Sequence, residues 1–256
     1  MSFELSLANK VALVSGGSRG IGAATVKALV RSGAKVAFNY EKAAVRADKV
    51  VEECGRDNAA AFQQELSTPA HAQSLVDAAV HRFGRLDVLV ANHGIWPPDD
   101  APIDRMSDEQ WLRTVAINLN SVFGLVKHSV AQMKRQGTGG AIVLISSTAG
   151  QRGEAFHCDY AATKGAVISM TKGLATELAR DKIRVNCVAP GWVATDMAAP
   201  ALEDPSIAPK VFATIPLGRV GTPDELAACI VFLCTAGAGF VTGEVFNVNG
   251  GAVLVG

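Results

Sequence analysis

The chain reads as a single α/β domain, a doubly wound parallel sheet of seven strands with helices on both faces. Three observations predict this. Short apolar runs alternate with helical patterns from end to end. The apolar runs are nearly continuous rather than alternating with polar residues, as strands buried on both faces require. No linker, repeat or low-complexity tract divides the 256 residues, so one domain spanning 1–256 is expected.

The first strand is Lys10-Val11-Ala12-Leu13-Val14, short and rich in β-branched residues. Helical spacing follows from Ile21 to Val30, with small residues at Ala23, Ala24 and Ala28. Ala34 to Tyr40 is the second strand. The others are Asn58–Gln63, Leu86–Ala91, Ala141–Ser146, Ile183–Ala189 and Glu244–Val248. Parallel neighbours need crossovers, and helical patterns supply them at Thr68–Phe83, Ser107–Gln136, Tyr160–Arg180 and Pro223–Ala236. The second of these is long for a globular helix and is expected to be broken or bent. Thr195 to about Thr222 is rich in Ala and Pro and is expected to be an irregular lid loop at the carboxyl edge of the sheet.

Composition excludes several function classes. Twenty-four basic and 24 acidic residues cancel, and no basic run occurs, so nucleic-acid binding has no electrostatic support. No apolar stretch reaches membrane-spanning length, and Met1-Ser2-Phe3-Glu4-Leu5 has no signal-peptide pattern. Five cysteines, Cys54, Cys158, Cys187, Cys229 and Cys234, match no zinc or redox spacing. A reduced, cytoplasmic protein without a metal site is expected. Cys158 lies two residues before Tyr160, as a packing residue or as a thiol near the site.

Between the first strand and its helix runs Ser15-Gly16-Gly17-Ser18-Arg19-Gly20-Ile21-Gly22. Strand, glycine turn and helix form the context in which such a motif holds a dinucleotide. Gly16 allows the tight turn, Gly20 lets backbone approach a pyrophosphate, and Gly22 lets the helix pack closely on the strand. The helix start offers free N–H groups and partial positive charge to phosphates. The end of the second strand selects the nucleotide. An NAD(H) site places a carboxylate there for the ribose hydroxyls. This chain has Asn39 and Tyr40, with Glu41 one step late, and Arg19 in the glycine turn could pair with a 2′-phosphate. NADP(H) is favoured, and NAD(H) stays open if Glu41 bends back.

Ligands in such sheets bind beyond the carboxyl ends of the strands. Asn92-His93-Gly94, Ser146-Ser147 and Pro190-Gly191 fall there with the glycine turn. Tyr160 and Lys164 share a helix face at i and i+4. A nearby ammonium should lower the phenol pKa toward the working pH. Ser147 can donate to a carbonyl oxygen as charge develops. Asn118, polar within an apolar helix, could interrupt its bonding and hold a water leading to Lys164. Tyr-x-x-x-Lys alone is also common on surface helices, and Ser147 alone could be a helix cap. The company of the glycine turn gives the set its meaning.

These motifs together resemble a single-domain short-chain dehydrogenase/reductase over essentially the whole chain. Ser15 to Gly22 is similar to the family's T-G-x-x-x-G-I-G, with Ser for Thr. Asn92-His93-Gly94 resembles its N-A-G, and Pro190-Gly191-Trp192-Val193-Ala194-Thr195 its P-G segment. The resemblance implies a Rossmann-type fold and a catalytic set of Asn118, Ser147, Tyr160 and Lys164. In it Tyr160 is the general acid or base and Ser147 polarises the carbonyl. Lys164 binds the nicotinamide ribose and lowers the Tyr160 pKa, and Asn118 supports a relay water. It implies cofactor contacts at Gly16, Ser18, Arg19, Gly20, Ile21, Gly22, Asn39, Tyr40, Glu65, Leu66, Asn92, Gly94, Pro190, Gly191, Val193 and Thr195, besides Tyr160 and Lys164. Glu65 is a mild departure, since Asp is usual there. His93 is another, since a small residue is usual. Its ring could narrow the cleft, reach the substrate or fill a packing gap. The resemblance also implies a homotetramer, with Ser107–Gln136 and Tyr160–Arg180 pairing across one interface and the C-terminal strand region across another, where the apolar tail to Gly256 fits burial against a partner.

His93, Trp96, Phe156, Trp192 and Met197 flank the motifs and are expected to line an apolar substrate pocket. Glu154 and Arg152 are expected at the loop surface. The leading reading is an NADP(H)-dependent oxidoreductase interconverting a ketone and a secondary alcohol. Three alternatives stand beside it: an NAD-dependent sugar or polyol dehydrogenase, a 3-oxoacyl-acyl-carrier-protein reductase, and a catalytically silent nucleotide-binding protein. The acyl-carrier branch tends to carry Arg where this chain has Ala131 and Thr176, although Lys134, Arg135 and Lys172 are near.

Overall fold

The computed structural model describes residues 5–255. The leader expectation therefore falls almost wholly outside the described residues, as does Gly256. Strands and helices alternate as β1 (Val11–Val14), α1 (Gly20–Arg31), β2 (Lys35–Tyr40), α2 (Ala44–Cys54), β3 (Ala59–Gln63), α3 (Pro69–Phe83) and β4 (Val88–Ala91). Then come α4 (Asp108–Val115), a π turn (Ala116–Asn120), α5 (Ser121–Gln136), β5 (Gly140–Ile145), α6 (Thr148–Arg152), α7 (Cys158–Leu178) and β6 (Ile183–Pro190). α8 (Ala199–Glu203), α9 (Ala208–Ala213), α10 (Pro223–Cys234) and β7 (Val245–Val248) complete the order.

All seven strands are parallel, in the order β3-β2-β1-β4-β5-β6-β7. The order reverses between β1 and β4, which opens a crevice at the carboxyl ends of those two strands. Burial follows the strand period. Ala12, Val14, Val36, Phe38, Val88 and Val90 pack on the face covered by α1, α2 and α10. Leu13, Ala37, Leu89, Ala91, Ile142 and Leu144 pack on the opposite face with residues of α3, α5 and α7. This explains why the strands read as continuous apolar runs. Each face has its own core.

The long pattern 107–136 is interrupted as expected, by one π turn that contains Asn118. The segment 195–222 is irregular except for two short helices, α8 and α9, that the composition did not suggest. Each has Pro in its first turn, where the missing N–H costs nothing, and Ala elsewhere favours helix. Among the described residues no helix is long and apolar enough to cross a membrane.

Candidate active site

The glycine turn ends β1 and is held from three sides. Gly16 has φ +69°, and its N–H donates to the Asn39 side chain at 2.8 Å. The Asn92 amide donates to the carbonyls of Ser15 and Gly16 at 3.0 and 3.3 Å. A Cβ on Gly22 would stand 2.0 Å from the Gly16 carbonyl oxygen, so only glycine lets α1 approach β1 this closely. Helix α1 starts after Arg19 with no side-chain cap and no acid in its first turn. Its first N–H groups are therefore available to an anion.

Around this turn opens a cleft of about 1380 Å³. Every residue implied for the cofactor lines it except Gly22, which is packed beneath. Asn39 contributes as scaffold. Its oxygen accepts from Gly16 and its nitrogen donates to the Gln64 carbonyl, both at 2.8 Å, so it braces the turn from the cleft wall. Arg19 stands at the mouth with its guanidinium 3.5 Å from Asp196. Arg46, which sequence spacing did not single out, also pairs with Asp196.

At the other end of the cleft, β5 and α6 bring Ser147 to Tyr160 of α7. Ser147 is the N-cap of α6, accepting from Ala149 N–H at 3.1 Å, and its side chain is also hydrogen-bonded to the Tyr160 hydroxyl. Thus it serves both the cap and the site. Lys164 is buried, donates to the Ile145 carbonyl at 2.8 Å and lies 5.7 Å from the Tyr160 ring centre. The expected lowering of the Tyr160 pKa is not what the surroundings produce. Burial pushes it up to about 12, the Ser147 hydrogen bond acts against this, and Glu154 adds to it. Burial likewise holds Lys164 down to about 8. The ammonium gives one of its three N–H groups to the Ile145 carbonyl.

Asn118 is fully buried in the π turn and does not line the cleft. Its oxygen accepts from Ile95 N–H and its nitrogen donates to the Ile95 carbonyl, both at 2.8 Å. The side chain is a staple and holds no free donor for a water. Gly94 fits between this staple and the ammonium: a Cβ there would stand 3.2 Å from Asn118 Oδ1 and 3.4 Å from Lys164 Nζ.

His93 resolves toward packing. Its Nδ1 lies 2.7 Å from Ser15 Oγ, and its Nε2 lies 3.1 Å from the Ile117 carbonyl and 2.5 Å from Ser121 Oγ. The ring spans from β1 to the π turn. Burial, together with the Lys164 charge, drops its pKa to about 3, so it is neutral at physiological pH. The ring is held by the scaffold at a position that lines the cleft.

Of the remaining pocket residues, Trp96, Trp192 and Met197 line the cleft, with Met197 substantially exposed. Phe156 does not. It has φ +65°, is half exposed and points its bulk outside the lining. Arg152 and Glu154, expected at the surface, both line the cleft. Glu154 is hydrogen-bonded to Trp96, and burial raises its pKa. The Trp96 ring packs at a 43° tilt against His157, with centroids 4.6 Å apart, and His157 Nε2 is 3.3 Å from Asp100. Cys158 lies off the cleft with its sulfur 4.0 Å from that of Met106, which favours the packing reading. All five cysteines are free.

The arrangement can hold an extended nucleotide along the carboxyl edge and present a hydroxyl pair, Ser147 and Tyr160, to a carbonyl at its end. The chain is similar to known reductases. Residues 16–253 match the family model described as enoyl-(acyl carrier protein) reductase. The chain is 41% identical to an uncharacterized oxidoreductase of Methylorubrum extorquens, over 96% of this chain and 98% of that one. It is 39% identical to a 3-oxoacyl-[acyl-carrier-protein] reductase of Synechocystis, over 97% and 99%. The crystal structure of a dehydrogenase/reductase from Sinorhizobium meliloti superposes with a TM-score of 0.89 at 34% identity, covering 98% of both chains.

Proposed function

The chain belongs to the short-chain dehydrogenase/reductase family and is an NAD(P)(H)-dependent oxidoreductase acting on CH–OH or carbonyl groups, and on that premise we propose that it is an NADP(H)-dependent enzyme interconverting a ketone and a secondary alcohol. The observation that carries this reading is the convergence of Ser147, Tyr160 and Lys164 at one end of a cleft whose other end is the glycine turn. The nicotinamide supplies or accepts the hydride when bound. The chain's own residues do the rest. Tyr160, protonated across the physiological range, donates its proton to the carbonyl oxygen in reduction. Ser147 donates to the same oxygen as charge develops on it. Lys164 holds positive charge beneath the site below pH about 8 and reaches the ribose side of the cleft. Asn118 and Gly94 fix the wall that a nicotinamide ring would face.

The choice of NADP(H) over NAD(H) is supported by the rim of the adenosine end. β2 ends on Asn39 and Tyr40 rather than on a carboxylate, Glu41 one step later is paired with Lys42 at 3.2 Å, and Arg19 overhangs the rim. α8 and α9 follow Thr195 and act as the lid. Trp96, Trp192 and Met197 give the substrate end an apolar character that suits a small or medium ketone. A 3-oxoacyl thioester is the competing substrate, supported by the Synechocystis relative. Against it, Ala131 and Thr176 offer no charge to an acidic carrier, and Lys134 is already paired with Asp181 at 2.7 Å. We also read the chain as a homotetramer, since Trp111, Leu112, Phe123, Phe240 and Leu254 leave large apolar groups exposed on α4, α5 and around β7.

The test is NADPH oxidation followed optically with a panel of small ketones and with acetoacetyl thioesters. Turnover with simple ketones at least tenfold more efficient than with thioesters supports the proposal. Thioester turnover alone transfers it to the acyl-carrier reading, and activity only with NAD⁺ and polyols overturns it.

A further inference from the structure

At the mouth of the cleft, one carboxylate lies between two guanidiniums. Asp196 pairs with Arg19 from the glycine turn and with Arg46 from the first turn of α2. The three residues come from three separate parts of the chain: Asp196 at the root of the lid and Arg19 of the glycine turn line the cleft, and Arg46 stands just outside that lining. Asp196 sits next to Thr195, whose methyl group lies where a Cβ on Gly20 would touch it. Both guanidiniums are more than half exposed, so neither is committed to the core.

The start of α2 adds an independent observation. Its N-cap is Ala43, which makes no side-chain cap, and its first turn holds no acid but does hold Arg46. A basic residue against the positive end of a helix is an unfavourable placement that an external anion would relieve. Lys42 and Ala43, just before this helix, line the cleft. Lys42 is itself paired with Glu41 at 3.2 Å.

Resting on the NADP(H) reading, we infer that Arg19 and Arg46 together form the clamp for the ribose 2′-phosphate, and that Asp196 is its built-in competitor, which the phosphate displaces. With Asp196 in place the three side chains carry a net single positive charge. With it swung away they carry two, matching a phosphate of charge near −2. A phosphate offers three strong acceptor oxygens to two planar guanidiniums, where the carboxylate offers two. Exposed ion pairs are weak, so the exchange is easily made. Because Asp196 belongs to the lid root, phosphate occupancy frees that root, whereas NAD(H), lacking the phosphate, leaves it tied. Asp196 thus tunes cofactor discrimination without touching the nicotinamide.

Fluorescence titrations with NADPH and NADH, and displacement by 2′,5′-ADP and 5′-AMP, test this in the full-length protein and three variants. Arg46→Ala should weaken NADPH and 2′,5′-ADP roughly tenfold, as loss of a charged hydrogen bond does, and leave NADH and 5′-AMP unchanged. Asp196→Asn should tighten NADPH and 2′,5′-ADP several-fold with NADH unchanged. Limited proteolysis of 195–222 should be faster with 2′,5′-ADP than with 5′-AMP in the unmodified protein, and equally fast with both in Asp196→Asn. If Asp196→Asn weakens NADPH or leaves it unaltered, the competitor role is wrong. If Arg19→Ala alone weakens NADPH, the clamp excludes Arg46 while the NADP(H) reading survives. If the unmodified protein prefers NADH and ignores 2′,5′-ADP, both fall together.

Discussion

Asn118 and Ile95 are joined by a pair of hydrogen bonds, one amide giving and receiving at 2.8 Å each way. The pair ties the π turn to the strap that follows β4, and on that strap sit His93 and Gly94. Replacing Asn118 by Ala leaves a part-buried N–H and a part-buried C=O of Ile95 without these partners. Each costs about 1–3 kcal/mol. Asn118→Ala should therefore lower the thermal midpoint by several degrees and reduce kcat. An unchanged midpoint in differential scanning calorimetry would show that the staple is not structural.

His93 gives the fold an acid-sensitive joint. Its folded pKa of about 3 lies well below the ordinary 6.5. Between those values the unfolded chain binds a proton that the folded chain refuses, so stability falls as pH drops below 6.5. His93→Gln should be less stable at pH 7, because it loses the span between Ser15 and the π turn, yet show a flatter dependence from pH 6.5 to 4. Parallel slopes for the two proteins in chemical denaturation would contradict this.

Lys164 works in the opposite direction. Its folded pKa of about 8 lies below the ordinary 10.5, so below pH 8 the folded state carries a buried charge at a cost. That cost disappears as pH rises from 8 toward 10.5, and this residue's contribution to stability rises over that window. Lys164→Met should be more stable than the parent at pH 7, with the gap narrowing up to pH 10, where Tyr160 begins to weigh the other way. Its activity should fall by roughly 100-fold or more, by analogy with loss of an acid–base partner. A constant stability gap across pH 7–10 would mean that Lys164 is not charged and buried.

Glu154 is placed to tune Tyr160. It lines the cleft beside the phenol, and its charge raises the phenol pKa after burial has done most of the work. Alcohol oxidation needs the phenolate, so Glu154→Gln should move the alkaline limb of the oxidation profile to lower pH. The reductive rate at pH 7 should change little, because Tyr160 is protonated in both proteins. A limb that stays fixed or moves upward would remove Glu154 from the electrostatics of the site.

The strands, their order of appearance and the glycine turn were legible because burial on both faces leaves long apolar runs and because Gly16, Gly20 and Gly22 are needed where backbone meets backbone. Ser147, Tyr160 and Lys164 were legible as a set for the same reason that they meet in space, since β5 ends and α7 begins at the carboxyl edge. What was not legible depended on side-chain direction. Nothing in the spacing of Asn39, Asn118 or His93 says that each spends its polar atoms on the scaffold. Arg46 and Asp196 lie 150 residues apart and meet only across the cleft. α8 and α9 were hidden by prolines that act as helix starters rather than breakers, and α2 by Ala43, which is no cap. The Tyr160 pKa was misjudged in direction because helix spacing reveals a neighbouring charge and conceals burial.

The central claim is that Tyr160 supplies the proton in an NADP(H)-dependent reduction. Steady-state ketone reduction by Tyr160→Phe, with NADPH binding titrated on the same preparation, tests it most directly. The account expects turnover to fall roughly 10²–10⁴-fold with NADPH binding within about twofold of the parent, because the change removes one hydroxyl and little volume. Turnover near the parent's with intact binding would contradict it and would move the proton source to another group in the cleft.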